Sequence, residues 1–252
     1  MLAEKRLDEI VRYVDAKKSV TVQELMGLLD SSESTVRRDL AVLHEQGRVV
    51  RVHGGAIAIT SGYASRDVCV DERNEVNTED KMTIAKYAAS LIEDNDFVFI
   101  DAGTTTEYMI DFIGDKNVRF VTNGIEHGKK LSRLGYITYI LGGELKNSTE
   151  AVVGEEAVAT LSKYNFTKGF FGANGISKDT GFSTPDSREA MVKKTAAARC
   201  KEVYVLADVS KFSQIAPVSF LQYDEAEIIT TNLGDKEKKY KKEKNIMEVK
   251  KI

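Results

Sequence analysis

Two cysteines and two prolines in 252 residues give this chain almost no covalent or kinked scaffolding. Cys69 and Cys200 lie far apart, with no second sulfur or histidine at metal-ligand spacing, so neither a disulfide nor a zinc site is expected. No cofactor motif is read. Long apolar runs are missing too: none approaches the roughly 18 residues of a membrane helix, and Met1 to Arg6 turns charged at once, with no apolar signal core. The expectation is a cytoplasmic protein with no membrane partner. Positive charge is not in excess, since the formal net charge is −3. Nucleic acid cannot therefore be held by the charge of the whole molecule, and any such role must rest on particular residues. Repeats and low-complexity segments are absent. What is present is 42% hydrophobic and 30% charged residues, the make-up of one large or two ordinary globular domains.

Hydrophobic periodicity splits the chain near residue 60. Leu7, Ile10, Val11 and Val14 recur at helical spacing. Thr21 is placed as the N-cap of a short helix from Gln23 to Leu29, with Glu24 completing a capping box. Ser32 caps a third helix from Glu33 to Gln46, whose Val36, Leu40 and Leu43 share one face, and Gly47 stands where that helix ends. Arg48 to Val52 and Ala56 to Ile59 are β-rich runs around His53-Gly54-Gly55, a two-stranded wing. This places a winged helix-turn-helix at residues 1–60, a polar linker at 61–75 and a second domain at 76–252. In the second domain a helix from Glu79 to Glu93 begins an alternation with short apolar strands at 97–100, 119–122, 136–141, 167–173, 202–207 and 226–230. That alternation is α/β, and its near-continuous apolar strands predict a sheet buried on both faces. A charged helix from Asp235 and a last edge strand at 246–249 close the chain.

A helix-turn-helix offers the start of its second helix to the major groove. Ser34, Arg37 and Arg38 point away from the core face there, with Ser32 and Thr35 beside them, and supply hydroxyl and guanidinium donors for phosphates and guanine edges. Arg51 and His53 on the wing are placed to touch flanking backbone or minor groove. The segment is electrically neutral, with nine Lys or Arg against nine Asp or Glu in residues 1–60. An Arg-Arg pair is as well explained by a solvated helix face or a protein-docking module, and composition leaves both open.

In the second domain Asp101-Ala102-Gly103-Thr104-Thr105-Thr106 follows a strand and opens a helix, a geometry suited to an anion. Thr122-Asn123, Gly142-Gly143, Asn174-Gly175 and Lys211 sit in similar small loops at other strand ends, where ligands of open α/β sheets bind. Ordinary turns also favour Gly and Asn. An isomerase would need a base and an enediolate-stabilising group, for which Asp101, Glu144, Glu189, Asp208 and Lys211 are the candidates. His44 and His127 are lone helical histidines and receive no chemistry.

Ser32-Glu33-Ser34-Thr35-Val36-Arg37-Arg38-Asp39-Leu40, with Leu43, Gly47 and Arg51-Val52-His53-Gly54-Gly55-Ala56, resembles the signature of DeoR-type bacterial regulators of sugar metabolism. The family's apolar residue in the turn is replaced by Ser31, so the turn is either more open or the serine satisfies a backbone group. Asp101 to Thr106, Thr122 to Gly124, Leu141 to Gly143, Gly172 to Ile176, Glu189-Ala190 with Lys193, and Asp208 to Phe212 resemble the effector domain of the same regulators. Its fold is similar to ribose-phosphate isomerases and coenzyme A transferases, although the isomerases' Asp-Gly-Ala-Asp loop is absent. The resemblance implies a repressor, not an enzyme, that binds operator DNA, and because one winged helix reads too few base pairs a homodimer or homotetramer is expected. It further implies a phosphorylated sugar held at Asp101, Gly103, Thr104, Thr105, Thr106, Thr122, Asn123, Gly142, Gly143, Asn174, Gly175 and Lys211. Thr184-Pro185-Asp186 and the run from Tyr204 to Phe212 look most like fructose-operon repressors, which implies fructose 1-phosphate as effector.

Overall fold

The computed structural model describes residues 3–17, 19–45, 48–52, 54–57, 76–234, 240 and 243–250. The expected linker at 61–75 lies outside the described residues, as do His53, Gly47, Ala58, Ile59, Cys69 and the charged stretch at 235–239. The chain divides into two units, Met1–Tyr63 and Ala64–Ile252.

In the first unit, α1 (Ala3–Lys17) leads through β1 (Ser19–Thr21) to α2 (Val22–Leu29), α3 (Glu33–Glu45), β2 (Val50–Val52) and β3 (Gly55–Ile57). Helix α2 starts where its capping chemistry dictates. Thr21 Oγ1 accepts the Glu24 amide at 3.2 Å, and the Glu24 carboxylate accepts the Thr21 amide at 2.8 Å. The apolar stripes of the three helices, among them Ile10, Val14, Leu25, Leu29, Val36, Leu40 and Leu43, meet in one core. Arg6 locks α1 to α3 through a two-pronged bond to Asp39, at 2.5 and 3.0 Å.

The wing departs from expectation, because it has three strands rather than two. Strand β1 pairs antiparallel with β3, giving the order β1-β3-β2. Three residues are too few to show an alternation in sequence, so β1 carried no readable pattern. Its structural trace is Gly55, where a Cβ would run into the Val20 carbonyl.

The second unit is built on seven strands: β4 (Phe97–Ile100), β5 (Arg119–Thr122), β6 (Ile137–Ile140), β9 (Phe166–Gly172), β12 (Cys200–Leu206), β14 (Glu227–Thr230) and β15 (Ile246–Glu248). They run in the order β15-β14-β12-β9-β4-β5-β6, and every neighbouring pair is parallel. Helices α4 (Thr78–Ser90), α5 (Thr104–Ile110), α6 (Ile125–Arg133), α7 (Glu155–Leu161) and α8 (Ser187–Ala197) alternate with these strands.

Strand residues alternate between two cores. Val98, Ile100, Phe170, Leu206 and Ile229 pack with Ile84, Ala88, Met109 and Ile110 of α4 and α5. Phe99, Phe171, Val205 and Ile228 pack on the opposite face with Ala157, Leu161, Ala190, Val192 and Ala196 of α7 and α8. Both faces are thus covered, as parallel sheets require. The edge strand β6 breaks this expectation, leaving Ile137, Tyr139 and Ile140 about half exposed. Two short pieces had no counterpart in the sequence pattern: the hairpin β7 (Glu144–Lys146) and β8 (Ala151–Val153), and the antiparallel sheet of β10 (Gly175–Ser177), β11 (Gly181–Thr184) and β13 (Val218–Leu221).

The topology selects one place for a ligand. From β4 the chain winds outward through β5 to β6, then returns to the centre at β9 and winds the other way through β12, β14 and β15. The winding direction therefore reverses between β4 and β9, and the crevice beyond their carboxyl ends is where open α/β sheets hold ligands. Among the described residues no helix is long and apolar enough to cross a membrane, and no group of His, Cys, Asp and Glu could hold a metal ion.

Candidate functional site

The exposed start of α3 is the first candidate. Asp30 closes α2 in the left-handed conformation at φ 46°, and Ser31 answers its open alternative by donating from Oγ to the Leu29 carbonyl at 3.0 Å. It satisfies a backbone acceptor in place of an apolar contact. Ser32 then gathers its neighbours, with its Oγ 3.0 Å from Ser34 Oγ and 2.9 Å from Thr35 Oγ1 while accepting the Thr35 amide at 3.4 Å. One turn further, Arg37 is held on the outer face by Glu33 at 2.7 Å, and Arg38 is exposed beside it. Val36 and Leu40, on the opposite face of the helix, are buried. Ser32, Ser34, Thr35, Arg37 and Arg38 thus form one contiguous hydroxyl and guanidinium surface. The Arg51 backbone pairs with Ala56 in the wing; its side chain, like the whole of His53, lies outside what is described.

The second candidate is a cavity of about 200 Å³ at the reversal between β4 and β9. Gly103 to Thr106 enter it from the β4–α5 turn, Gly172 to Asn174 from the end of β9, and Asp208 and Lys211 from the end of β12. Lys81 comes from α4, Glu189 and Lys193 from α8, and Thr149 from the β7–β8 turn. Gly103 is the N-cap of α5 and has no side chain to cap it, so the first-turn amides of the threonines have no partner within the helix.

Of the twelve expected effector residues, Gly103, Thr104, Thr105, Thr106, Asn174 and Lys211 line this cavity. The other six are displaced from it, and three of those brace its floor. Asp101 is 1% exposed, ion-paired to Lys193, and accepts the Gly172 amide at 3.1 Å, which ties β4 to β9 and α8. Burial pushes its carboxyl up, against the pull of the Lys193 ammonium. Asn123 accepts the Ala102 amide at 2.9 Å and Thr122 accepts the Gly124 amide at 3.0 Å, both fully inside the protein. Gly142 and Gly143 follow β6, two strands away from the reversal, and Gly175 begins β10 packed on the Gln214 carbonyl. Strand ends alone did not distinguish these loops; only those flanking the reversal, with the neighbouring β12, reach the crevice.

The structure also adds residues. Lys81, Thr149, Glu189 and Lys193 line the cavity, yet in the sequence only Glu189 and Lys193 were noticed, neither as an effector contact. Their spacing of four on α8 was the available signal, since it puts both on one helix face. His127, given no chemistry from sequence, is 4% exposed beneath the threonine turn. Its Nε2 lies 3.1 Å from Thr106 Oγ1 and from the Gly103 carbonyl. Burial pushes its imidazole down to about 4, so it is neutral at pH 7. Gly124 makes room for the ring, because a Cβ there would sit 2.5 Å from His127 Nδ1.

Of the candidate isomerase groups, Glu189, Asp208 and Lys211 line the cavity, whereas Asp101 and Glu144 do not. Asp101 is consumed by Lys193, and Asp208 accepts Asn77 Nδ2 and the Ser210 amide, each at 2.9 Å. Glu144 stands in solvent paired with Arg188 at 2.7 Å.

Comparison with known proteins runs the length of the chain. A family model described as the DeoR-like helix-turn-helix domain matches residues 6–62, and one described as the DeoR C terminal sensor domain matches residues 76–232. A Bacillus subtilis protein named as an uncharacterized HTH-type transcriptional regulator, FruR, is 42% identical over 233 residues, 92% of each chain. A lactose phosphotransferase system repressor of Staphylococcus epidermidis is 36% identical over 239 residues, 94% of each chain. Among solved structures, ribose 5-phosphate isomerase of Methanocaldococcus jannaschii aligns with 52% of this chain and 53% of its own, at a TM-score of 0.40 and 18% identity. The two domain models in series and the full-length relatives establish that the chain belongs to the DeoR family of transcriptional regulators and is not an enzyme.

Proposed function

We propose that the protein is a repressor of a sugar-utilisation operon, that it grips operator DNA through the start of α3, and that a phosphorylated sugar in the β4/β9 crevice sets its operator affinity. The observation that carries the effector half is the meeting of Lys81, Lys193 and Lys211 with the threonine turn in one cavity at the reversal of a parallel sheet. Three ammonium groups and hydroxyl donors are the natural partners of a phosphate ester. The DNA half is supported by the exposed donors Ser32, Ser34, Arg37 and Arg38 with the half-buried Thr35 beside them, and by the repressor named among the relatives. Fructose 1-phosphate is the effector that best fits the likeness to fructose-operon regulators.

A single winged helix reads too few base pairs for operator-level affinity, so the working form is a homodimer or homotetramer. An effector that weakens operator binding about 100-fold requires a coupling free energy of about 2.7 kcal/mol, which a few differential phosphate contacts supply. The test is a gel-shift titration with fructose 1-phosphate on the full chain and on Thr105→Ala and Lys211→Ala. Both variants are expected to bind operator while losing release by the sugar phosphate. Release that persists in both moves the effector elsewhere.

A further inference from the structure

The cavity walls are not uniform in chemistry. Lys81 and the threonine turn come from α4 and α5 on one face of the sheet, whereas Glu189 comes from α8 on the other. Glu189 is 7% exposed and built into place. Its Oε1 accepts Thr149 Oγ1 at 2.5 Å and Lys146 Nζ at 3.2 Å, so that oxygen is fully engaged. Burial raises the cost of charge there, but Lys193, Lys146 and the Thr149 hydroxyl outweigh it and hold the carboxyl below its ordinary range. The group is a carboxylate, an acceptor with no proton to give.

Its other oxygen is short of a donor. Oε2 has Thr184 Oγ1 at 3.3 Å, but the same hydroxyl lies 3.2 Å from the amide oxygen of Asn174. A hydroxyl carries one hydrogen, so it serves one of these acceptors and leaves the other to the ligand. Asn174 and Glu189 both line the cavity. Around Thr184 acceptors therefore outnumber donors, and a buried acceptor left unmatched is costly.

We propose that Glu189 is the hydroxyl-reading residue of the effector site, so that the cavity takes the monophosphate ester of a polyhydroxylated carbon chain and turns away a second phosphate. This rests on the sugar-phosphate reading above and deepens it. Thr184 lies nearer Asn174, so a ligand hydroxyl donates to Glu189 Oε2 while the phosphate meets the lysines and the threonine turn. A bisphosphate would set an anion with no donor against an ionised carboxylate, a repulsion that the buried setting strengthens.

The test is isothermal titration of the full chain with fructose 1-phosphate, glucose 6-phosphate, fructose 1,6-bisphosphate and inorganic phosphate, repeated on Glu189→Gln and Glu189→Asp with circular dichroism as the folding check. Wild type is expected to bind a hexose monophosphate at least tenfold more tightly than inorganic phosphate or the bisphosphate. Glu189→Gln keeps the side-chain shape but exchanges a charged acceptor for a neutral amide. It is expected to lose about 10- to 100-fold on the monophosphate, to leave inorganic phosphate no weaker, and to narrow the gap to the bisphosphate. Glu189→Asp keeps the charge on a shorter arm; it is expected to weaken the monophosphate while still excluding the bisphosphate. Wild-type monophosphate binding that neither variant alters, or a bisphosphate bound as tightly as the monophosphate by wild type, overturns the role of Glu189 and leaves the sugar-phosphate reading standing. If wild type binds none of the four, that reading falls and the role of Glu189 falls with it.

Discussion

The two units keep their polar working residues in opposite states. At the start of α3, hydroxyls and guanidinium groups stand in solvent, touch mainly one another, and come from seven consecutive positions, Ser32 to Arg38. In the β4/β9 crevice the corresponding groups are mostly buried, many already paired with partners from distant parts of the chain, and drawn from six separate segments. A surface for a large polyanion such as DNA can be exposed and locally encoded, because the partner brings the desolvation and most of the shape. A cavity for a small anion must be desolvated before the ligand arrives, so its charges need counter-charges and braces in the empty protein. On the proposed function, Lys193 and Asp101 are an instance of the second case and Arg38 of the first.

That contrast can be broken most sharply at Asp101. Asp101→Ala leaves the Lys193 ammonium buried without its carboxylate, and a loss of about 3 to 5 kcal/mol is expected in urea denaturation of the second unit. An unchanged midpoint would mean that the pair is dispensable and the crevice is not preorganised.

The next effect is on pH dependence. The folded His127 has a value of about 4 against an ordinary 6.5. Between those limits the unfolded chain binds a proton that the folded chain does not, so stability is complete above about pH 6.5 and falls as pH drops through the window. The loss attributable to this one group reaches roughly 3 kcal/mol near pH 4. His127→Asn is expected to flatten the slope in thermal melts between pH 6.5 and 4, and a slope equal to wild type would assign it to other groups.

On the exposed surface the same kind of change should hardly touch stability. Arg38→Ala is expected to shift the unfolding free energy by less than about 0.5 kcal/mol and to weaken operator binding by about 1 to 3 kcal/mol in a gel-shift series. Loss of stability without loss of DNA affinity would reverse the comparison between the two units.

The first unit was largely legible in the sequence. The Thr21 and Glu24 capping box, the Ser32 cap and the Val36, Leu40, Leu43 stripe all act within one or two helical turns, and the chain folds at those positions as they dictate. The third wing strand escaped because Ser19–Thr21 is too short to show a period, and only the missing Cβ of Gly55 explains its fit. In the second unit the strands and the Gly103 to Thr106 turn were readable, but small polar loops looked alike. Gly142 and Gly143 read like Gly172 and Asn174, although only the latter pair lines the crevice. His127 gave no signal, since nothing in its own helix shows that the β4–α5 turn lies against its ring.

The sequence by itself determined where helices begin, which faces they bury, that the strands alternate with helices, and that the chain carries the DeoR signature, because these depend on neighbours a few residues away. Only the tertiary structure decided that the strand order reverses between β4 and β9, that Asp101 is buried against Lys193, that Lys81 and Glu189 line one cavity with the threonine turn, and that His127 lies beneath that turn. Those are matters of distance in space between residues separated by tens of positions, and charge in a buried crevice takes its meaning from whichever groups the packing brings within a few ångströms.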